Sequence, residues 1–98
     1  MKSRPDAIAT TDDQIAFGVI NYLEENNIEG IGVTGFNNTV RSIYQKPTLT
    51  SVDINADLLG ERAAELLISI LETEKSKRKE VTPNHYLVPT RLIPRDTA

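Results

Sequence analysis

The order of elements in this 98-residue chain predicts an α/β fold with a largely parallel sheet. Three observations carry that reading. Short apolar runs bounded by turn residues recur at 6–10, 30–36 and 49–53. Two stretches carry apolar residues at helical spacing, one ending near Asn26 and one running from Asn55 to about Glu74. Strands and helices alternate, and neither type clusters in one half of the chain.

Residues 6–10 follow Pro5 and are apolar at their centre, as in a buried strand. Thr11 and Asp12 offer side-chain oxygens to cap the following helix, whose apolar stripe is Ala16, Val19, Ile20 and Leu23. Asn26, Asn27 and Gly30 end that helix and turn the chain. Residues 30–36 form the next strand, and its glycines (30, 32 and 35) suggest that another backbone passes close by. Asn37, Asn38 and Thr39 open a loop, and 40–44 makes one or two helical turns before Pro47. Residues 49–53 alternate apolar and polar side chains, the pattern of a half-covered strand. Asn55 should cap the longest helix, with its stripe of Leu59, Ala63, Leu66, Leu67, Ile70 and Leu71. The basic run 75–79 reads as a solvated loop. In the tail, 85–88 and 91–93 are extended, and Pro83, Pro89 and Pro94 confine them to an edge or a crossing.

Composition narrows the function classes. Hydrophobic residues make up 39% and charged residues 26%, as in a soluble globular domain. A net charge of −3 argues against nucleic-acid binding through a basic surface. No apolar run approaches the roughly 20 residues of a membrane span, and the first residues lack the apolar core of a secretory signal. With no cysteine and one histidine, His85, neither a disulfide framework, a metal centre nor a catalytic triad is expected. The glycines of 30–35 lie within a strand, so no phosphate-cradling loop is present. The chain reads as cytoplasmic, without cofactor or metal, and not as an enzyme.

Two places carry recognition chemistry. Asp12 and Asp13 follow the first strand, where open α/β sheets bind ligands. A carboxylate there can accept hydrogen bonds from neighbouring hydroxyls, or it can simply cap the helix and favour its positive end. Asn37 follows the second strand and can donate and accept at once, or serve turn geometry alone. A metal-binding phosphoacceptor use of Asp12 and Asp13 would need a partner Lys at a strand end, and none is found.

Five segments in register resemble the effector domain of the lactose/galactose-repressor family of transcriptional regulators. Pro5-Asp6-Ala7-Ile8 with Thr11-Asp12-Asp13-Gln14-Ile15-Ala16-Phe17-Gly18 is similar to the family's strand, Asn-Asp turn and helix start. Gly32-Val33-Thr34-Gly35-Phe36-Asn37-Asn38 resembles its V-x-G-(F/Y)-D strand end, and Pro47-Thr48-Leu49-Thr50-Ser51-Val52 its P-x-L-T-T-(I/V). Leu59-Gly60 with Ala63-Ala64 and Leu66-Leu67 resembles its L-G-x-x-A-x-x-L-L helix, and Leu92-Ile93-Pro94-Arg95-Asp96-Thr97 its closing L-x-x-R-x-(S/T). Phe36-Asn37-Asn38 and 51–55 look most like maltose-operon repressors of Gram-positive bacteria.

The resemblance implies a fragment of a periplasmic-binding-protein-like doubly wound fold, with sugar bound between two lobes. Residues 1–5 would be a remnant or linker and 6–52 part of the C-terminal lobe. Residues 53–88 would cross to the N-terminal lobe, and 89–98 would return. It implies ligand contacts at Asp12 and at Asn37, which stands where the family usually has Asp. Phe36 would border the ligand, Asp53 is a second-tier candidate, and Asp13 is structural. Phe17, Ile43 and Tyr44 would lie on a homodimer contact. The implied partners are a sugar, maltose or a related one, and operator DNA through a headpiece outside these residues. A periplasmic-type sugar carrier is the alternative within the same fold. The long helix, read as packing on a lobe mostly outside the chain, is expected to leave its apolar stripe seeking a partner.

Overall fold

The structure is a computed structural model that describes residues 3–73 and 86–98. The elements are β1 (Ala7–Ala9), α1 (Asp13–Glu25), β2 (Gly32–Phe36), α2 (Val40–Tyr44), β3 (Thr50–Asp53), α3 (Ala56–Glu72) and β4 (Arg91–Ile93). The basic run 75–79 and His85 lie outside the described residues. The chain divides into two compact units, Met1–Ile54 with Thr90–Ala98, and Asn55–Pro89.

The first unit holds a four-stranded sheet in the order β1-β2-β3-β4. β1, β2 and β3 are parallel, and β4 runs antiparallel to β3 with Ser51 opposite Ile93 and Asp53 opposite Arg91. Each parallel pair needs a crossover, which α1 and α2 supply. The predicted α/β class with a mainly parallel sheet is what the chain forms.

One face of α1 packs on the sheet. Ala16, Phe17 and Ile20 meet Val33 of β2 and Leu49, with Val19 and Leu23 at the margin. Phe17, expected at a dimer contact, packs within its own chain. Its ring is 3% exposed, one residue from Ala16 and three from Ile20 on the buried face, with the Arg41 guanidinium 4.3 Å from its centroid. Ile43 and Tyr44, by contrast, are exposed on α2. The alternation read in 49–53 is also displaced, because Thr50 and Ser51 are both buried while Val52 and Asp53 are only partly covered.

The end of the chain explains the burial of Thr50. After β4, the main chain wedges between the starts of β2 and β3. The Val33 N–H donates to the Thr97 carbonyl at 2.9 Å, and the Thr97 N–H to the Thr48 carbonyl at 3.1 Å. Thr97 Oγ1 accepts from the Thr50 N–H at 2.8 Å. The backbone neighbour anticipated from the glycines is found at Gly32, where an added Cβ would come within 3.4 Å of the Thr97 carbonyl oxygen.

In the second unit, α3 has no buried residue, and its Leu59, Leu66, Leu67, Ile68 and Leu71 are exposed. Leu59, Ala63 and Leu66 line a groove with Tyr86 and Val88. Asn55 precedes α3 as expected, but it sits in the left-handed region (φ 57°) and its side chain makes no capping bond. Its carbonyl instead accepts the Leu59 N–H at 2.9 Å.

Because the Phe17 ring fills the core, Phe17→Ala should cost about 3–5 kcal/mol of stability, read as a lower urea midpoint. Weaker association at unchanged stability would place the ring at an interface instead.

Candidate functional site

Parallel pairing brings the carboxyl ends of β1, β2 and β3 to one edge of the sheet, the edge where open α/β folds bind ligands. Two connections emerge there, led by Asp12 and Asn37, and β3 ends there at Asp53.

The first begins with Thr10, whose N–H donates to the Thr34 carbonyl at 3.0 Å. Asp12 follows in extended conformation as the N-cap of α1, and its Oδ1 accepts the Ile15 N–H at 2.8 Å. Asp12 is half-buried. A carboxylate has about four acceptor positions, so a capping bond leaves capacity for a further donor.

Asp13 does something the sequence reading missed. Expected to be structural at the helix start, it is 0% exposed and reaches the turn before α2 and strand β3. Oδ2 accepts from the Thr39 N–H at 2.7 Å and the Thr39 hydroxyl at 2.8 Å, and Oδ1 accepts the Ser51 hydroxyl at 2.6 Å. A buried carboxylate is costly unless it is hydrogen-bonded. Three donors and the positive end of α1 offset that cost here. Gly35 was the available signal, because an added Cβ there would run into Asp13 Oδ1 and lie 2.9 Å from Leu49 Cδ2 and 3.2 Å from Asp13 Cα.

The second connection holds two consecutive residues with positive φ, Asn37 (99°) and Asn38 (47°). Asn tolerates this region better than most residues, which accounts for the residue type at both positions. The Asn37 N–H extends the ladder to the Val52 carbonyl at 2.9 Å, and the Asn38 N–H donates to Ser51 Oγ at 2.9 Å. Asn37 is exposed. Phe36, 38% exposed, ends β2 on the sheet face opposite Gly35. Asp53 is half-buried at the end of β3, opposite Arg91.

Arg95, the arginine of the closing motif, braces the second connection. Its Nη2 donates to Asn38 Oδ1 at 2.6 Å, and its Nη1 to Ser42 Oγ at 2.9 Å and the Leu49 carbonyl at 2.8 Å. Among the described residues, no buried side-chain nitrogen or oxygen lacks a partner, and no group of three or more His, Cys, Asp or Glu could hold a metal. No described helix is long and apolar enough to cross a membrane.

The edge thus presents Asp12 and Asn37 on adjacent connections, with Asp13 bonded internally between them. Gly35→Ala should force the Asp13 carboxylate aside and destabilise the fold by about 1–3 kcal/mol, measured by chemical denaturation. An unchanged midpoint would mean that the Asp13 link is dispensable.

Comparison with known proteins agrees with this arrangement. The periplasmic binding protein-like domain family matches residues 1–98. The chain is 39% identical over 101 residues to the lactose operon repressor of Klebsiella pneumoniae, covering 100% of this chain and 27% of the repressor. It superposes on the lac repressor dimer bound to operator and an anti-inducer with a TM-score of 0.78 and 25% identity, over 95% of this chain and 32% of that one. It is also similar to a LacI-family regulator from Lactobacillus casei with bound sucrose, with a TM-score of 0.77 and 26% identity over 97% of this chain and 34% of that one. The chain spans about a quarter to a third of the length of these proteins. It belongs to the periplasmic binding protein-like domain family, and its relatives over its whole length are repressors of the lactose-repressor (LacI) type, in which it corresponds to part of the effector-binding domain.

Proposed function

We propose that this chain forms the sugar-contacting part of the C-terminal lobe, together with a crossing into the N-terminal lobe, of a cytoplasmic LacI-type repressor. Residues 6–52 and 89–98 belong to the C-terminal lobe and 53–88 to the crossing and the N-terminal lobe. The division of the chain after Ile54 and before Thr90 supports this partition. The protein is a regulator and not an enzyme. It acts as a homodimer whose contact includes Ile43 and Tyr44, and it meets operator DNA through a headpiece outside these residues.

One observation carries the reading. The connections bearing Asp12 and Asn37 lie side by side at the carboxyl edge of the parallel sheet, tied together through Asp13. A neutral sugar offers hydroxyls and no charge, so affinity must come from paired hydrogen bonds in a partly desolvated cleft. Asp12 supplies a charged acceptor and Asn37 an amide that both donates and accepts. Phe36 lends an apolar wall, and Asp53 is a secondary polar contact. Maltose or a related oligosaccharide is the proposed effector. Its binding would shift the repressor between two states that differ in lobe closure.

Calorimetry on the full-length regulator with maltose, sucrose and lactose tests this. Asp12→Ala should weaken effector binding roughly tenfold or more, since removing one partner strands a hydroxyl at a cost of about 1–3 kcal/mol. Asp12→Ser keeps a capping oxygen but loses the carboxylate, so it should lose affinity while retaining the melting temperature. Asn37→Asp should be tolerated with altered sugar preference. If Asp12→Ala binds every effector as the parent does, Asp12 is only a helix cap.

A further inference from the structure

The turn that carries Asn37 is gripped from two sides by groups of opposite charge. Consecutive residues with positive φ, as at Asn37 (99°) and Asn38 (47°), are costly and persist only where their surroundings over-determine them. On one side stands the Asp13 carboxylate. It accepts hydrogen bonds from the Thr39 N–H and hydroxyl directly and from the Ser51 hydroxyl, whose oxygen in turn accepts the Asn38 N–H. On the other side stands Arg95, with one guanidinium arm on Asn38 Oδ1 and the other on Ser42 Oγ and the Leu49 carbonyl. Arg95 meets neutral oxygens and Asp13 meets neutral donors, so each charge is spent on the segment between them.

We propose that Asp13, Ser51 and Arg95 are positioning residues of the ligand site. They touch no ligand. They hold the Asn37-Asn38 pair in its left-handed course, so that the Asn37 amide is presented in one geometry before binding. Fixing that geometry in advance removes an ordering cost from the binding step. Without the clamp, Asn37 and Asn38 would relax towards negative φ and the amide would be aimed elsewhere. The proposal rests on the assignment of Asn37 as a ligand contact.

The test is a double-mutant cycle in the full-length regulator, titrated with maltose, sucrose and lactose. Ser51→Ala removes a single oxygen from a 0% exposed position and leaves the side-chain volume almost unchanged. Asn37→Gly removes the amide while keeping the positive φ accessible. In the parent background, Ser51→Ala should weaken sugar binding roughly tenfold and speed hydrogen exchange at the Asn38 amide. In the Asn37→Gly background the same change should leave affinity unaltered, because the contact it positions is gone. Arg95→Lys, which keeps the charge but loses the fork, should show the same coupling. Equal losses in both backgrounds would overturn the proposal, since they report general weakening of the lobe. So would a Ser51→Ala regulator that binds as the parent does. Should Asn37→Gly itself bind every sugar normally, the ligand assignment falls and takes the positioning role with it. Loss in Asn37→Gly without coupling to Ser51 overturns the positioning role alone.

Discussion

A carboxylate with no exposure to water sets the terms for everything at the carboxyl edge of this sheet. Asp13 begins α1, yet its acceptors are spent on Thr39, before α2, and on Ser51, inside β3. One side chain thus joins the start of α1, the turn before α2 and strand β3, which a parallel sheet must otherwise hold by packing alone. Buried away from water, its oxygens require all of these donors at once. That makes Gly35 obligatory, because no Cβ fits beside it. The same requirement explains why Ser51, a polar residue in a strand, faces inward.

Asp13 also decides which neighbour is left for chemistry. Asp12, one residue earlier, caps α1 with one oxygen and remains half-exposed at the edge. Asn37, two residues before Thr39, is exposed on a backbone that Asp13 and Arg95 hold from either side. The returning chain completes the arrangement. Thr97 threads between Val33 and Thr48, which anchors the segment bearing Arg95 so that its guanidinium reaches Asn38 and Ser42. Core packing of Phe17 and Ile20 on Val33 and Leu49 stabilises the layer, and the polar links define its working edge.

Much of this was legible in the chain. The strands and helices follow from short apolar runs, helical stripes and turn residues, which are local signals. Asp12 as a helix cap was also local and correct. The failures share one cause, the distance along the chain between partners. Asp13 bonds residues 26 and 38 positions away, so local rules could assign it only to its own helix. Nothing local marked Ser51 for burial, because the Asp13 carboxylate it bonds is remote in sequence. Arg95 and Thr97 stood out only as positions of the closing motif, since their partners, Asn38, Ser42 and Leu49 for one and Val33, Thr48 and Thr50 for the other, are remote in sequence. Asn55 was the right residue at the right place for another reason, its backbone tolerance and not its side chain.

The central claim is a division of labour between adjacent carboxylates, with Asp13 sealed inside the lobe and Asp12 facing a ligand together with Asn37. A crystal structure of the full-length regulator with bound sugar tests it most directly. The account predicts sugar hydroxyls within hydrogen-bonding distance of the Asp12 carboxylate and the Asn37 amide, with Asp13 still bonded to Thr39 and Ser51. A sugar held by Asp13, or seated away from both Asp12 and Asn37, would contradict it.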